Sequence, residues 1–133
     1  MTFAPGKDVP DKIRQLTGGR GADLVIECAG SEATLAQAID IARPGGRLLL
    51  FAIYTMSEAR LPFYQLYYKE LQLINARAAN PGDFTTCIGL VERGRVDLDS
   101  MISHVLPLPE LAQAISMLGE RDDRRMKVVL DHS

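Results

Sequence analysis

Apolar positions along the chain follow two different spacings. Over residues 8–17 they recur every three or four positions, which predicts a short amphipathic helix, and glycines follow it. Two runs, 22–29 and 47–53, instead contain consecutive apolar residues, as in strands of a parallel sheet that are covered on both faces. Between these runs, Ser31 is placed to cap a second helix. The apolar stripe of that helix consists of Leu35, Ala38, Ile39 and Ala42.

The second half of the chain continues the alternation of strands and helices. Its pattern predicts, in chain order, a helical connector (61–70), a strand (71–76), a helix that begins at Asn80 and Pro81, a strand within 98–108, a helix from about Pro109, and a strand over 126–131. The helix after Asn80 is predicted to bury one stripe of side chains, formed by Phe84, Cys87, Ile88 and Val91.

Strands and helices that alternate at this spacing are typical of a parallel sheet. We therefore predict an α/β fold with a parallel sheet, flanking helices and a C-terminal helix–strand extension. The 133 residues are expected to form a single domain. Residues 120–127 alternate in charge, which is typical of a solvated turn.

The glycines are predicted to be turn residues and not a phosphate-binding loop. Gly18, Gly19 and Gly21 precede the first strand, whereas a phosphate loop follows a strand and opens a helix. No G-x-G-x-x-G and no G-x-x-x-x-G-K-[ST] occurs in the sequence. Ser31 does not lie in a G-x-S-x-G hydrolase elbow either.

Composition excludes several kinds of partner. The net charge is −2 with both signs interspersed, so we expect no nucleic-acid binding and no membrane-surface patch. The apolar runs are too short for a bilayer and the first ten residues lack a signal-peptide pattern, which favours a cytoplasmic protein. Cys28 and Cys87 have no C-x-x-C spacing and are predicted to be buried reduced thiols.

Five pieces of the sequence occur in the order and at about the spacing of a known family. They are GGRGADLVIECAG, ARPGGRLLLF, YYKELQL, GRVDLDSMISHVLPL and MKVVL. With these pieces in register, the chain resembles the C-terminal part of the medium-chain, zinc-type alcohol and polyol dehydrogenases. The resemblance implies the last three strands of a six-stranded Rossmann domain, that is, half of a doubly wound parallel sheet, and a tail. It would make the chain a C-terminal fragment of a dehydrogenase-like nucleotide-binding domain.

The resemblance also implies contacts with NAD or NADP. In the family, the turn after the fourth strand passes the adenosine, and the segments after the fifth and sixth strands meet the nicotinamide. A basic side chain that opens the final strand approaches the pyrophosphate. The matching positions are Cys28, Ala29 and Gly30, then Phe51 and Ile53, then Arg77 to Ala79, and finally Lys127. On the residues alone, Cys28, Phe51 and Ile53 are instead interpreted as core positions.

Catalytic residues and metal ligands are not predicted in this chain. In the family, an N-terminal domain supplies the zinc ligands, and the first Rossmann half carries the glycine loop and the ribose-binding acidic residue. None of these segments has a match here. His104 and His132 lack metal-ligand spacing and are interpreted as a strand-end and a terminal surface residue. We therefore expect the chain alone to bind dinucleotide weakly or not at all.

The family function is reversible hydride transfer between an alcohol or polyol carbon and NAD(P), with zinc polarising the substrate oxygen. We interpret the chain as a cofactor-binding-domain fragment of such an enzyme, inactive alone. Two alternatives stay open: half of an S-adenosylmethionine-dependent methyltransferase, whose fold closes with an antiparallel hairpin, and a non-catalytic association module. The resemblance further implies a homodimer in which the edge strand Leu71 to Ala76 pairs with its twin.

Overall fold

A computed structural model describes residues 1–120, 122 and 124–133 of the chain. The protein is α/β, and its residues group into two compact units, 1–78 and 79–133, which are described separately. Whether they form a single domain stays a prediction. None of the described helices is long and apolar enough to cross a membrane. Within the charged run 120–127, positions 121 and 123 lie outside the described residues.

The first unit contains a three-stranded sheet, in which the second strand along the chain lies between the first and the third. Both strand pairs are parallel, as predicted; Val25 lies beside Leu48, and Leu48 beside Leu73. The elements of this unit are α1 (Val9–Leu16), β1 (Ala22–Glu27), α2 (Glu32–Ile41), β2 (Ala42–Leu50), α3 (Phe63–Tyr68) and β3 (Gln72–Asn75).

The bounds of β2 differ from the prediction at both ends. The strand was expected over 47–53, but it begins at Ala42 and ends at Leu50. Ala42, expected on the stripe of α2, is therefore the first residue of the strand, although it is buried as predicted. The residues that follow Leu50 leave the strand because Phe51 and Ala52 turn their N–H groups to the carbonyl of Glu27.

The core of the first unit lies between α2 and the sheet. It consists of Leu35, Ala38, Ile39, Ala42 and Leu48. Ile39 and Leu48 have no exposed surface, and full burial of such a side chain stabilises a fold by about 1.5–3 kcal/mol. The helical stripe predicted from the sequence is thus confirmed as the source of the core.

Both ends of α2 are capped by side chains. At its start, Ser31 and Thr34 form a reciprocal capping box, which confirms the predicted N-cap. At its end, the Nζ of Lys69 donates to the carbonyl oxygens of Ile39, Asp40 and Ala42 at 2.9, 2.9 and 3.0 Å. Lys69 therefore satisfies carbonyls that have no partner inside the helix.

Only one face of β1 is covered in the described residues. Val25 packs against the core, but Leu24 and Ile26 are 44% and 54% exposed. The expectation that both faces of this strand are buried is therefore wrong for the described residues. The physical reason is the arrangement of the helices. α2 packs on β1 and β2, and α1 and α3 contact α2, so the three helices form one layer on one face of the sheet. The other face of β1, with Leu24 and Ile26, is left exposed.

The second unit contains a parallel strand pair joined by a helix, which confirms the C-terminal helix–strand extension. Its elements are α4 (Pro81–Glu92), β4 (Ile102–Pro107), α5 (Leu111–Gly119) and β5 (Lys127–Asp131), with 3₁₀ turns at Asp99–Met101 and Leu108–Glu110. Asn80 caps α4 through a capping box with Asp83, as its position predicted. The Oγ of Ser103 bridges β4 and β5, accepting from the N–H groups of Met126 and Lys127 at 3.0 and 3.2 Å.

The predicted buried stripe of α4 is wrong for the described chain. Phe84, Ile88 and Val91 are 64%, 58% and 39% exposed, and Cys87 is exposed too. The helix itself forms because its N-cap and Pro81 at its first position fix its start. Its helical period was predicted correctly from the sequence, but no residue of α4 is buried.

Candidate functional site

The carboxyl ends of β1, β2 and β3 lie at the same edge of the sheet because the three strands are parallel. Three segments follow these ends: 28–30, 51–54 and 76–78. Ligands of open parallel α/β sheets bind outside the carboxyl ends of the strands. The predicted site residues on these segments are Cys28, Ala29, Gly30, Phe51, Ile53 and Arg77.

The segments after β1 and β2 approach each other closely at Gly30. This residue has φ +73°, and a Cβ added to it would lie 2.8 Å from the carbonyl oxygen of Ile53 and 3.2 Å from the Cβ of Ala52. Any other residue would meet both a strained backbone conformation and a backbone clash. Because Gly30 has no side chain, the segments 28–30 and 51–54, which are both predicted to contact the cofactor, can lie against each other.

The residues after β2 are held to the end of β1 by the backbone. The N–H groups of Phe51 and Ala52 donate to the carbonyl oxygen of Glu27 at 2.9 and 3.1 Å. The side chains of Phe51 and Ile53 nevertheless point to solvent, with 62% and 87% exposure. Cys28 is exposed as well. The interpretation of these three positions as core is therefore wrong, because each lies just beyond the end of its strand.

A cavity of about 930 Å³ opens after β2 and β3 and is lined by residues 50–54 and 75–78. Arg77 is one of the residues that line it. Ala78, which follows, has φ +57°, a conformation that costs a residue with a side chain about 1–3 kcal/mol. Such strain persists only where the surroundings impose it, and it is frequent at ligand sites.

Glu27 is the buried charged residue of this region, with 5% exposure. Its Oε1 accepts from the N–H groups of Ala29 and Gly30 at 2.9 and 3.1 Å, and Oε2 accepts from Gly30 at 3.1 Å. Oε2 also accepts a hydrogen bond from the hydroxyl of Tyr54. Hydrogen-bond donors from both segments, 28–30 and 51–54, therefore offset the free-energy cost of burying this carboxylate.

These contacts shift the pKa of both side chains. Burial raises the pKa of the Glu27 carboxyl, but hydrogen bonds from the hydroxyls of Tyr54 and Thr34 and from the two backbone N–H groups outweigh it. The net pKa of Glu27 lies below its ordinary value. Burial and the adjacent carboxylate raise the pKa of Tyr54. The pair therefore stays in its ionic hydrogen-bonded form, with Glu27 charged and Tyr54 protonated.

Two predicted contact residues, Ala79 and Lys127, belong to the second unit. Ala79 is exposed and directly precedes the N-cap of α4. Lys127 is exposed and opens β5, where it pairs in register with Ile102. The structure thus brings together the predicted residues of the first unit, and the roles of Ala79 and Lys127 stay predictions.

The described residues do not fit a zinc ion. In residues 1–120, 122 and 124–133 no three His, Cys, Asp or Glu side chains converge on one point. Cys28 and Cys87 are both free and exposed, which corrects the prediction that they are buried. His104 lies half-buried in β4 with its Nδ1 3.0 Å from the Oγ of Ser103.

Sequence reasoning missed Glu27 and Tyr54. One signal was available: Glu27 is a carboxylate at the end of an apolar strand, in LVIECAG. A charged residue at such a position needs hydrogen-bond partners once the strand is buried. Nothing in the sequence pairs it with Tyr54, which lies in an irregular segment.

Comparison with known proteins gives one family over most of the chain. The family of zinc-binding dehydrogenases matches residues 1–93. The 2-dehydro-3-deoxy-L-galactonate 5-dehydrogenase of Pseudoalteromonas atlantica is 31% identical over 93% of this chain and 36% of its own length.

Solved structures agree with this assignment. The alcohol dehydrogenase TADH from Thermus sp. ATN1 superposes with a TM-score of 0.85 and 26% identity, over 96% of this chain and 36% of its own. An NAD-dependent alcohol dehydrogenase gives a TM-score of 0.77 and 28% identity, over the same shares. The chain therefore spans about a third of the length of the relatives that it matches. Together with the parallel strand pairing, the match favours the dehydrogenase resemblance over the methyltransferase alternative.

Proposed function

The chain belongs to the family of zinc-binding dehydrogenases, and from this premise we propose that it forms the C-terminal half of the cofactor-binding domain of an NAD(P)-dependent alcohol or polyol dehydrogenase. The reaction of that enzyme is hydride transfer between a hydroxyl-bearing carbon and the nicotinamide. The activities of the relatives support a substrate with a secondary or primary hydroxyl, since one is named for a sugar acid and two are alcohol dehydrogenases.

The observation that carries this proposal is the convergence at the carboxyl edge of the sheet. The turn after β1 and the segment after β2 touch at Gly30, and the segments after β2 and β3 line one cavity. NAD(P), when bound, supplies the hydride acceptor. In this proposal, the backbone of 51–53 and 76–78 and the residue Arg77, which line the cavity, are the part of the chain that meets it. The chain itself supplies binding and orientation.

Zinc ligands, the glycine-rich phosphate loop and the ribose-binding carboxylate are assigned in this proposal to segments outside the 133 residues. The described residues offer no zinc site, and the sequence has no G-x-G-x-x-G. By itself the chain is therefore expected to be inactive. A cytoplasmic location fits its two free cysteines, because exposed thiols persist in reducing compartments.

We also propose that β3 mediates a homodimer. β3 lies at one side of the sheet, and its Leu73 and Ile74 are 42% and 43% exposed. The N–H of Ala76 donates to Leu50 in β2 at 3.0 Å, and alternate residues of a strand direct their N–H groups to opposite sides. The N–H groups of Leu73 and Asn75 therefore face away from β2 and can pair with a second strand.

The test of the enzyme proposal begins with the gene. An in-frame G-x-G-x-x-G about fifty codons before Met1 is expected. The longer protein is then purified and assayed for NAD+ and NADP+ reduction with simple alcohols, polyols and sugar acids, with and without a zinc chelator. Chelator-sensitive reduction of either cofactor supports the proposal. A gene without that motif, whose product forms a stable dimer but reduces neither cofactor, would point to the association module instead.

A further inference from the structure

Glu27 occupies a position where one residue contacts both segments of the proposed cofactor site. It is the last residue of β1, and strand alternation places its side chain on the same face as Val25, which packs against the core. Its carboxylate accepts from the turn after β1, and its carbonyl accepts from the segment after β2. Such a residue fixes the relative position of the two segments through its side chain and its backbone together.

Tyr54 closes this arrangement from the other side. Its ring packs against the core cluster that contains Leu35, Ile39 and Leu48. Because interiors are close-packed, the ring has little freedom, and its hydroxyl is held at the carboxylate of Glu27. The segment 51–54 is therefore anchored at both ends: Phe51 and Ala52 by the carbonyl of Glu27, and Tyr54 by its carboxylate.

The residues between these anchors are the ones exposed to a ligand. Ile53 is 87% exposed and its carbonyl lies against Gly30, whose N–H is bound by the same carboxylate. Neither Glu27 nor Tyr54 is itself exposed. Glu27, which is buried, and Tyr54, which is half-buried and lines the cavity after β2 and β3, thus order the exposed backbone between them, as in preorganised binding sites.

We propose that Glu27 and Tyr54 form a positioning pair, which sets the spacing between the turn 28–30 and the segment 51–53 and so preorganises the cofactor site. This inference rests on the proposed function, since it assigns the two segments to the cofactor. The pair acts through the backbone of its neighbours. Loss of the pair therefore weakens cofactor binding in addition to any effect on the stability of the fold.

The first test uses Tyr54→Phe in the longer enzyme, which removes the hydroxyl and retains the ring. We expect the KM for NAD(P) to rise about tenfold, with a smaller change in kcat. A tenfold change corresponds to the free energy that one hydrogen bond to a charged group contributes. The matched control is Tyr67→Phe, because Tyr67 is 82% exposed. A melting temperature lowered by Tyr54→Phe with the cofactor KM unchanged would show a structural role alone and overturn the proposal.

The second test needs no activity and uses the 133-residue chain. Amide hydrogen exchange is measured by NMR for Tyr54→Phe and Glu27→Gln, at the N–H groups of Ala29, Gly30, Phe51 and Ala52. We expect Tyr54→Phe to accelerate exchange at Ala29 and Gly30, on the segment that does not contain the substitution, while amides of α1 keep their rates. Unchanged rates at Ala29 and Gly30 would overturn the coupling.

The two tests separate the two claims. If the longer protein reduces no cofactor but the exchange of Ala29 and Gly30 responds to Tyr54→Phe, the proposed function fails and the structural coupling stands without a cofactor role. If the enzyme is active and Tyr54→Phe leaves the KM for NAD(P) unchanged, the function stands and the positioning pair is rejected.

Discussion

The hydroxyl of Tyr54 donates a hydrogen bond to the carboxylate of Glu27, 27 positions earlier in the chain. The contact joins the last residue of β1 to the segment that follows β2, beside a point where Gly30 lies against the carbonyl of Ile53. The edge of the sheet where parallel α/β folds bind their ligands is therefore held together by a partly buried, charged hydrogen bond.

Stability of the chain should depend on pH through Glu27. Its pKa lies below the ordinary value of 4.5, so its contribution is fully present above about pH 4.5 and is lost as pH falls through the native pKa. Glu27→Gln should cost about 2 kcal/mol at neutral pH and progressively less in acid. Urea unfolding between about pH 3 and pH 7 measures this. Glu32→Gln, at an exposed site in the first turn of α2, is the control. A cost that stays constant over this range would contradict the assignment.

Gly30→Ala should destabilise the chain more than Gly18→Ala does. Both glycines have positive φ, +73° and +62°, but a Cβ at Gly18 meets no atom within 4 Å. Gly18→Ala, the control, should therefore lower the free energy of unfolding only by the cost of its backbone conformation, about 1 kcal/mol. Gly30→Ala should carry that cost and, in addition, about 1–3 kcal/mol for the clash with the backbone of Ile53. Equal costs in urea unfolding would mean that the turn 28–30 does not lie against Ile53.

Lys127→Ala should raise the KM for NAD(P) in the longer enzyme while the melting temperature stays nearly constant. Lys127 is exposed at the start of β5, so its truncation has little effect on packing. If the ammonium approaches the pyrophosphate, its loss removes a charge-assisted contact. Steady-state kinetics with varied cofactor measure the effect, and Lys12→Ala on α1 is the control. If Lys127→Ala has the same KM for NAD(P) as the wild type, Lys127 does not contact the pyrophosphate.

Self-association of the chain should depend on the free edge of β3. Leu73→Pro removes an N–H that faces away from β2, so a dimer built on this edge should dissociate while the sheet persists. Ile74→Pro is the matched comparison, because its N–H faces β2 and its loss should damage the fold. Light scattering over a hundredfold dilution and circular dichroism report the two effects. A wild-type chain that stays monomeric at high micromolar concentration would contradict the proposed dimer.

The sequence predicted the elements and their order because periodicity and capping are local. Ser31 and Asn80 begin helices as expected, and Leu35, Ala38 and Ile39 form the core. Burial was predicted less well. Phe51 and Ile53 are apolar and yet exposed, because they follow the strand and do not belong to it. An apolar side chain in the sequence indicates that burial is favourable, but it does not identify the surface that covers it.

The candidate site was predictable only in part for a related reason. Parallel strands place the segments after β1, β2 and β3 at one edge, and this follows from topology alone. The link between Glu27 and Tyr54 is not local, and it depends on how far β2 extends before the chain turns. The sequence pattern placed the end of this strand at 53 instead of Leu50, so it could not place Tyr54.

The central claim is that this chain supplies one part of a dinucleotide site whose other part lies outside its 133 residues. Calorimetric titration of NAD and NADP into both the chain and the longer protein tests this most directly. The longer protein should bind one of them in the micromolar range, and the chain alone should bind weakly or not at all. The chain lacks the glycine loop and the ribose carboxylate, each hydrogen bond of which contributes about 1.5–3 kcal/mol. Low-micromolar binding by the chain alone, or no binding by the longer protein, would contradict the claim.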